Sequence, residues 1–139
     1  MIAVDTSVLV DYIGDGPAAE AAEDALRAAL SAGPVVVCEV VLSEVVAGLG
    51  HSDIVTETLD AIGVGFSPLE QRSAVRAGEM QRRYKERLRR AGESGPARRS
   101  VPDFLVGAHA LLQCQALITL DAGFFRDYFK GLKVIVPQA

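Results

Sequence analysis

Short β-branched or apolar runs alternate along this chain with longer segments of helical periodicity, and that alternation restricts the fold more than any other feature. Ile2-Ala3-Val4, Val35-Val36-Val37-Cys38, Gly63-Val64-Gly65-Phe66, Ala116 to Leu120 and Lys133 to Val136 read as strands. The third is a poor strand because of its glycines. The last suits a sheet edge, where Lys130 and Lys133 discourage edge pairing. Helical stretches separate them, so the expected architecture is α/β, with a mostly parallel central sheet between layers of helices.

The helices are bounded by recognisable punctuation. Val8 to Ile13 reads as a short helix broken by Gly14-Asp15-Gly16-Pro17, and Ala18 to Ala32 as a helix closed by Gly33-Pro34. Val40 to Leu49 ends at Gly50, and Asp53 to Ile62 is an amphipathic helix that groups Ile54, Thr58 and Ala61. Ser67-Pro68-Leu69-Glu70 has the composition of a capping box, with serine as cap and glutamate at N3, predicting a long polar helix from there to about Ala91. Gly78 within it predicts a bend or a close helix contact. Gly92 to Pro96 reads as a mobile turn or loop. Ser100-Val101-Pro102-Asp103 opens a helix to about Gln113, apolar on most sides.

With 139 residues, no internal repeat and no linker-like stretch, a single domain spanning 1–139 is expected. Charges interrupt every apolar stretch before membrane-spanning length, and the opening Met1-Ile2-Ala3-Val4-Asp5 lacks the basic start of a signal peptide. A cytoplasmic, non-membrane protein is therefore expected. Cys38 and Cys114 lie in apolar surroundings and read as free buried thiols, and the two histidines show no zinc-finger spacing with them.

The net charge of −4 conceals a strong asymmetry. In residues 1–70 the only lysine or arginine is Arg27, against twelve acids. Residues 72–99 hold ten of the fourteen basic side chains, among them Arg82, Arg83 and Arg87. A polyanion can contact such a stretch while an acidic region elsewhere holds metal, although a solvated helix and loop would look the same.

Four acids sit where a core is expected. Asp5 and Asp121 follow buried strands, Glu44 lies on an apolar helix and Asp103 begins another. Burying a carboxylate costs several kcal/mol or more unless it is paired or metal-bound. No lysine or arginine lies near Asp5 or Glu44 in sequence, and a shared divalent cation supplies the missing positive charge. Each acid alone has a structural alternative. Asp5 can bond the amides of the next turn, Glu44 can face solvent, Asp103 can close a cap with Ser100, and Asp121 can anchor the turn before Gly123.

These motifs in this order resemble the PIN-domain family, specifically VapC-like ribonuclease toxins of toxin–antitoxin systems. The resemblance runs from Val4-Asp5-Thr6-Ser7, through Leu42-Ser43-Glu44 and Pro102-Asp103, to Leu117-Ile118-Thr119-Leu120-Asp121-Ala122-Gly123-Phe124, covering essentially the whole chain. It implies a three-layer PIN-like domain and an endoribonuclease using Mg²⁺, with Mn²⁺ as a substitute. Asp5 and Asp103 are then the first choices for metal ligands, Asp121 binds directly or through water, and Glu44 completes the negative pocket. Thr6, Ser7 and Thr119 are candidate donors to these carboxylates. Gly107 and Ala110 share a helix face with Asp103, where small size leaves room for a site or permits close packing. Arg82, Arg83 and Arg87 are the candidate RNA contacts. The implied partners are RNA and a small cognate antitoxin, in a homodimer or a toxin–antitoxin hetero-oligomer.

Neither His51 nor His109 needs a catalytic role. Asp127, after Phe124-Phe125-Arg126, can sit near the site rim without taking part, and Tyr12 and Tyr128 suit core or interface packing better than base stacking. Two other readings stand beside the nuclease: a catalytically weak PIN-type RNA-binding protein, and a phosphatase of the haloacid dehalogenase type. The phosphatase expects a second aspartate where this chain has Ser7.

Overall fold

The computed structural model describes residues 1–92 and 99–138. In chain order the elements are β1 (Ile2–Val4), α1 (Thr6–Gly14), α2 (Ala19–Ala32), β2 (Val35–Val37), α3 (Glu39–Leu49) and α4 (Ser52–Ile62). They continue with β3 (Val64–Phe66), α5 (Gln71–Arg90), α6 (Val101–Gln113), β4 (Ala116–Ile118), α7 (Ala122–Tyr128) and β5 (Lys133–Ile135). The five strands form one sheet in the order β3-β2-β1-β4-β5, and every neighbouring pair is parallel. The three residues of β2 and of β4 are all buried, as expected for strands covered on both faces.

This order fixes where a site can form. From β1 the chain builds outward through β2 and β3, then returns to the opposite side of β1 to place β4 and β5. The direction reverses between β1 and β4, and ligands of open α/β sheets bind beyond the C-terminal strand ends at such a reversal. Val4 pairs with Ile118 at the last rung, so Asp5 and Asp121 leave the sheet at the same edge.

Several local expectations change. Ser67 to Glu70 forms no helical turn; α5 begins at Gln71 with Glu70 as an N-cap that makes no side-chain cap bond. Distant side chains satisfy the amides instead: Leu69 N donates to Glu39 Oε1 at 2.8 Å and Glu70 N to Gln113 Oε1 at 2.9 Å. The core face of α4 is Val55 and Leu59, while Ile54 is 56% exposed. Around Gly78 there is no close helix contact, since a Cβ there meets nothing within 4 Å and α5 runs unbroken past it. Most of the loop expected at Gly92 to Pro96 lies outside the described residues. Helix α7 follows β4, which ends at Ile118 rather than Leu120. Among the described residues, no helix is long and apolar enough to cross a membrane.

Candidate active site

The site grows from the end of β1. Asp5 has extended backbone angles and caps α1, with its Oδ1 accepting the Thr6 amide at 2.8 Å. Its Oδ2 accepts the Thr119 hydroxyl at 2.7 Å and, more weakly, that of Ser7 at 3.4 Å. The same hydroxyls tie the two strand ends together. Thr119 Oγ1 accepts the Asp121 amide at 3.0 Å, and Asp5 N donates to Ile118 O at 2.9 Å. Thr6, on α1, donates its hydroxyl to Glu44 Oε1 on α3 at 2.8 Å. The three hydroxyl residues singled out in sequence therefore all reach the acids.

Among the described residues, every hydrogen-bond donor to Asp5 is neutral. Burial pushes its carboxyl above the ordinary range, the Thr119 and Thr6 bonds pull it back, and the charges of Glu44 and Asp103 raise it further. The charges of Glu44 and Asp103 thus both act on Asp5, while the Arg99 guanidinium partly offsets that of Asp103. This donor chemistry, hard oxygen ligands around excess negative charge, fits Mg²⁺ or Mn²⁺.

The assembled geometry is incomplete. Asp103, in the first turn of α6, accepts the Ser100 amide at 3.2 Å, so it also serves the cap that its spacing suggested. Asp121 Oδ2 is hydrogen-bonded to Arg99 Nη1. That bond holds the Arg99 guanidinium still more firmly protonated, with burial opposing and the charges of Asp121 and Asp103 reinforcing. Among the described residues, no three His, Cys, Asp or Glu side chains are gathered closely enough to hold an ion. Asp5, Glu44 and Asp103 share one field, whereas Asp121 belongs to an ion pair.

Of the two uses left open for the small residues beside Asp103, close packing is the one observed. A Cβ on Gly107 would lie 2.3 Å from the Phe129 ring, and Ala110 is fully buried, so the small residues of α6 serve close packing. His109 is buried with Nε2 3.2 Å from Ser67 Oγ, and His51 is exposed at the start of α4; neither joins the acids.

A cleft of about 380 Å³ lies along α5, lined by Arg76, Arg83, Arg87, Asp127, Tyr128 and Lys130 over Met80 and Leu111, and none of the four acids lines it. Arg83 and Arg87 therefore share a concave surface, while Arg82 does not line it and pairs with Glu86 at 3.3 Å. An aromatic ridge links cleft and acids. Arg87 lies 5.8 Å from the Tyr128 ring centre, Tyr128 packs 5.5 Å from Phe124, and Arg99 stacks 4.4 Å from Phe124. The sequence does not single out Arg76, Arg99, Phe124 or Lys130 as site residues. Arg76 and Arg99 figure there only as members of a charge-rich stretch, and nothing local marks Arg99 as the partner of an acid 22 positions away.

The family model for the PIN domain matches residues 2–130. No curated protein matches the chain. Among solved structures it is similar to VapBC2 of Rickettsia felis bound to a promoter DNA fragment, with a TM-score of 0.68 and 18% identity, covering 99% of this chain and 100% of that one. It is also similar to a toxin–antitoxin complex of Klebsiella pneumoniae, with a TM-score of 0.64 and 22% identity over 99% and 98% of the two chains. Mycobacterium tuberculosis VapC20, described as a toxin that cleaves the sarcin-ricin loop, gives a TM-score of 0.62 at 19% identity, covering 96% and 99%.

Proposed function

Since this chain belongs to the PIN domain family, we propose that it is a metal-dependent endoribonuclease acting as the toxin of a toxin–antitoxin pair. The observation that carries this reading is Asp5: its carboxyl pKa is raised by burial, its hydrogen-bond donors among the described residues are all neutral, and the charges of Glu44 and Asp103 act on it. Such a group calls for a cation from outside the chain. Asp5 and Asp103 are the proposed direct ligands of Mg²⁺ or Mn²⁺, Asp121 a third ligand directly or through water, and Glu44 a further negative group. The chemistry supplied by a bound ion is acidification of a water and neutralisation of charge growing on the phosphoryl oxygens.

The chain's own groups prepare that chemistry. Thr119 and the Thr6 amide orient Asp5, and the Thr6 hydroxyl orients Glu44. Arg83 and Arg87, joined by Arg76 and Lys130, are suited to hold the RNA backbone in the cleft along α5, and Arg82 adds positive charge outside it. The similarity to toxin–antitoxin structures supports a small antitoxin as partner; a homodimer or toxin–antitoxin hetero-oligomer acting in the cytoplasm is part of the proposal.

A second reading, a PIN-type RNA-binding protein of weak catalysis, is favoured by one observation: Arg99 already engages Asp121. The phosphatase alternative has no second aspartate at Ser7 and is not supported by the family match. Mapping RNA ends after brief induction of wild type and Asp5→Asn separates the remaining two. Endoribonuclease action predicts new ends in wild type that vanish in the variant while RNA binding persists. RNA binding without cleavage across Mg²⁺ and Mn²⁺ conditions would support the binding protein instead.

A further inference from the structure

Arg99 has an unusual station. It stands directly before Ser100, whose amide is held by Asp103 Oδ2, so its backbone is anchored beside one acid while its guanidinium reaches another, Asp121. The Arg99 and Asp121 side chains are 30% and 41% exposed, which shields their pair more than a fully solvated surface pair. Phe124 provides the floor: it is buried, and its ring packs 5.2 Å from Phe104 and 5.5 Å from Tyr128. The cation–π contact at 4.4 Å keeps the guanidinium against this wall even when its hydrogen-bond partner changes.

We propose that Arg99 and a divalent cation are alternative partners of Asp121, and that Arg99, when displaced, turns to a phosphate oxygen of the RNA. The proposal rests on the nuclease reading, because it is the approach of RNA that brings an anion to this place. Two cations crowding one carboxylate repel each other, so an ion that takes Asp121 weakens the hold of Arg99 on it. The released guanidinium remains on Phe124 with a planar fork of donors suited to a phosphate group. Arg99 is thus a positioning residue for Asp121 in one arrangement and a substrate-binding residue in the other. It also makes the site's metal affinity lower than its four acids would otherwise set.

The test uses full-length protein and Mn²⁺ alone, titrated calorimetrically into wild type, Arg99→Met and Arg99→Gln. Methionine retains an apolar stem on Phe124, and glutamine provides a second neutral variant should the first fold poorly. Both variants should bind Mn²⁺ about tenfold more tightly, the scale of losing one competing charge-assisted bond. Most of that gain should disappear in an Asp121→Asn background. With an RNA analogue whose N3′–P5′ phosphoramidate linkages resist cleavage but keep the charged phosphoryl oxygens, Arg99→Met should bind several-fold more weakly than wild type in the presence of Mn²⁺. Unchanged or weaker Mn²⁺ binding in both variants, or no Mn²⁺ binding in any of these proteins, overturns the competition. Unchanged RNA affinity overturns the transfer to phosphate. RNA cleavage by the same wild-type preparation distinguishes these failures from failure of the nuclease reading, which shows as no cleavage with either metal.

Discussion

Helices α5 and α6 lie along one another, yet they hold charge in opposite ways. On α6, Phe104 and the run from Val106 to Ala110 are buried, and Asp103 emerges at its first turn beside the other acids. On α5 only Ser73, Ala77, Met80 and Tyr84 are buried, and the arginines fan into solvent, several paired with acids of their own helix such as Glu79 and Glu86. Charge near the core is costly and so demands a particular counter-ion, whereas solvated charge costs little and acts over distance. One helix thereby serves to fix a carboxylate and the other to present a field. Substitutions on the two should fail differently.

The largest effect belongs to the acids. Asp103→Asn and Asp5→Asn should each reduce RNA cleavage at limiting Mg²⁺ by at least about 100-fold, since loss of a ligand's supporting partner alone costs roughly 10- to 100-fold. Thermal melts of the metal-free variants should show a retained fold, and for Asp5→Asn a raised melting temperature, because a repelled carboxylate is gone. Full cleavage by both variants would break the contrast at its acidic end.

Next comes the packing beneath Asp103. With the Phe129 ring 2.3 Å from where a Cβ would stand and almost wholly buried, Gly107→Ala should destabilise the protein by about 1–3 kcal/mol in urea unfolding. A neutral result would mean that α6 has slack, and that its rigidity does not hold Asp103 in place.

On α5 the expected loss is in association. Reversing Arg82, Arg83 and Arg87 to glutamate should weaken RNA binding by about tenfold or more and flatten its salt dependence, by roughly 0.7 in log–log slope for each phosphate left without its cation. Metal affinity should hardly change. Since Arg83 and Arg87 line the cleft and Arg82 pairs with Glu86, reversing Arg82 alone should matter least. A fall in metal affinity with RNA binding intact would assign α5 to supporting the acids.

The same contrast explains what can be read from the sequence. Asp5 is legible because a carboxylate directly after a buried apolar strand is improbable without a purpose, and β1, β2, β4 and β5 are legible from their runs. The turn at Ser67 to Glu70 is not, because its amides are satisfied by Glu39 and Gln113 from 30 and 43 positions away. Local propensity favours a capping box there, and tertiary hydrogen bonds prevail. The grouping of Ile54, Thr58 and Ala61 on α4 does not mark its core face, which is Val55 and Leu59, because periodicity alone resolves a face poorly in a short helix. Helix α7, seven residues long, is too short for a periodic signal. Arg99 is hidden among ten basic residues that look alike until the fold selects one for Asp121.

A smaller effect, again on α6, concerns pH. Burial lowers the His109 pKa, with a hydrogen bond to the Ser67 backbone and the charges of Glu39 and Glu70 partly opposing. The folded state therefore keeps this imidazole neutral at pH values where the unfolded chain, near about 6.5, takes up a proton. The sign follows: His109 costs no stability well above about pH 6.5, and stability is lost as pH falls through that value toward the lower folded one. His109→Gln, which stays neutral and can still meet Ser67, should flatten that part of a melting-temperature profile between about pH 7.5 and 5. An unaltered profile in the variant would place the pH sensitivity elsewhere.

The smallest expected change lies at the most exposed point of the contrast. Gly78 sits within α5 at ordinary helical angles, and a Cβ there meets nothing within 4 Å. Glycine in a helix interior is less favourable than alanine by about 1 kcal/mol, partly because the unfolded chain loses freedom when a Cβ is added. Gly78→Ala should therefore stabilise the protein by roughly 0.5–1 kcal/mol in urea unfolding, with an unchanged slope against denaturant. It adds no charge and removes none, so RNA affinity and its salt dependence should remain those of wild type if α5 acts only as a scaffold for its arginines. Weaker RNA binding in a stabilised variant would show instead that α5 must bend at Gly78 to fit its ligand. The two glycines then form a pair, Gly107 needed because a neighbour leaves no space and Gly78 replaceable because none is near, and their opposite signs in one unfolding assay measure how differently the two helices are packed.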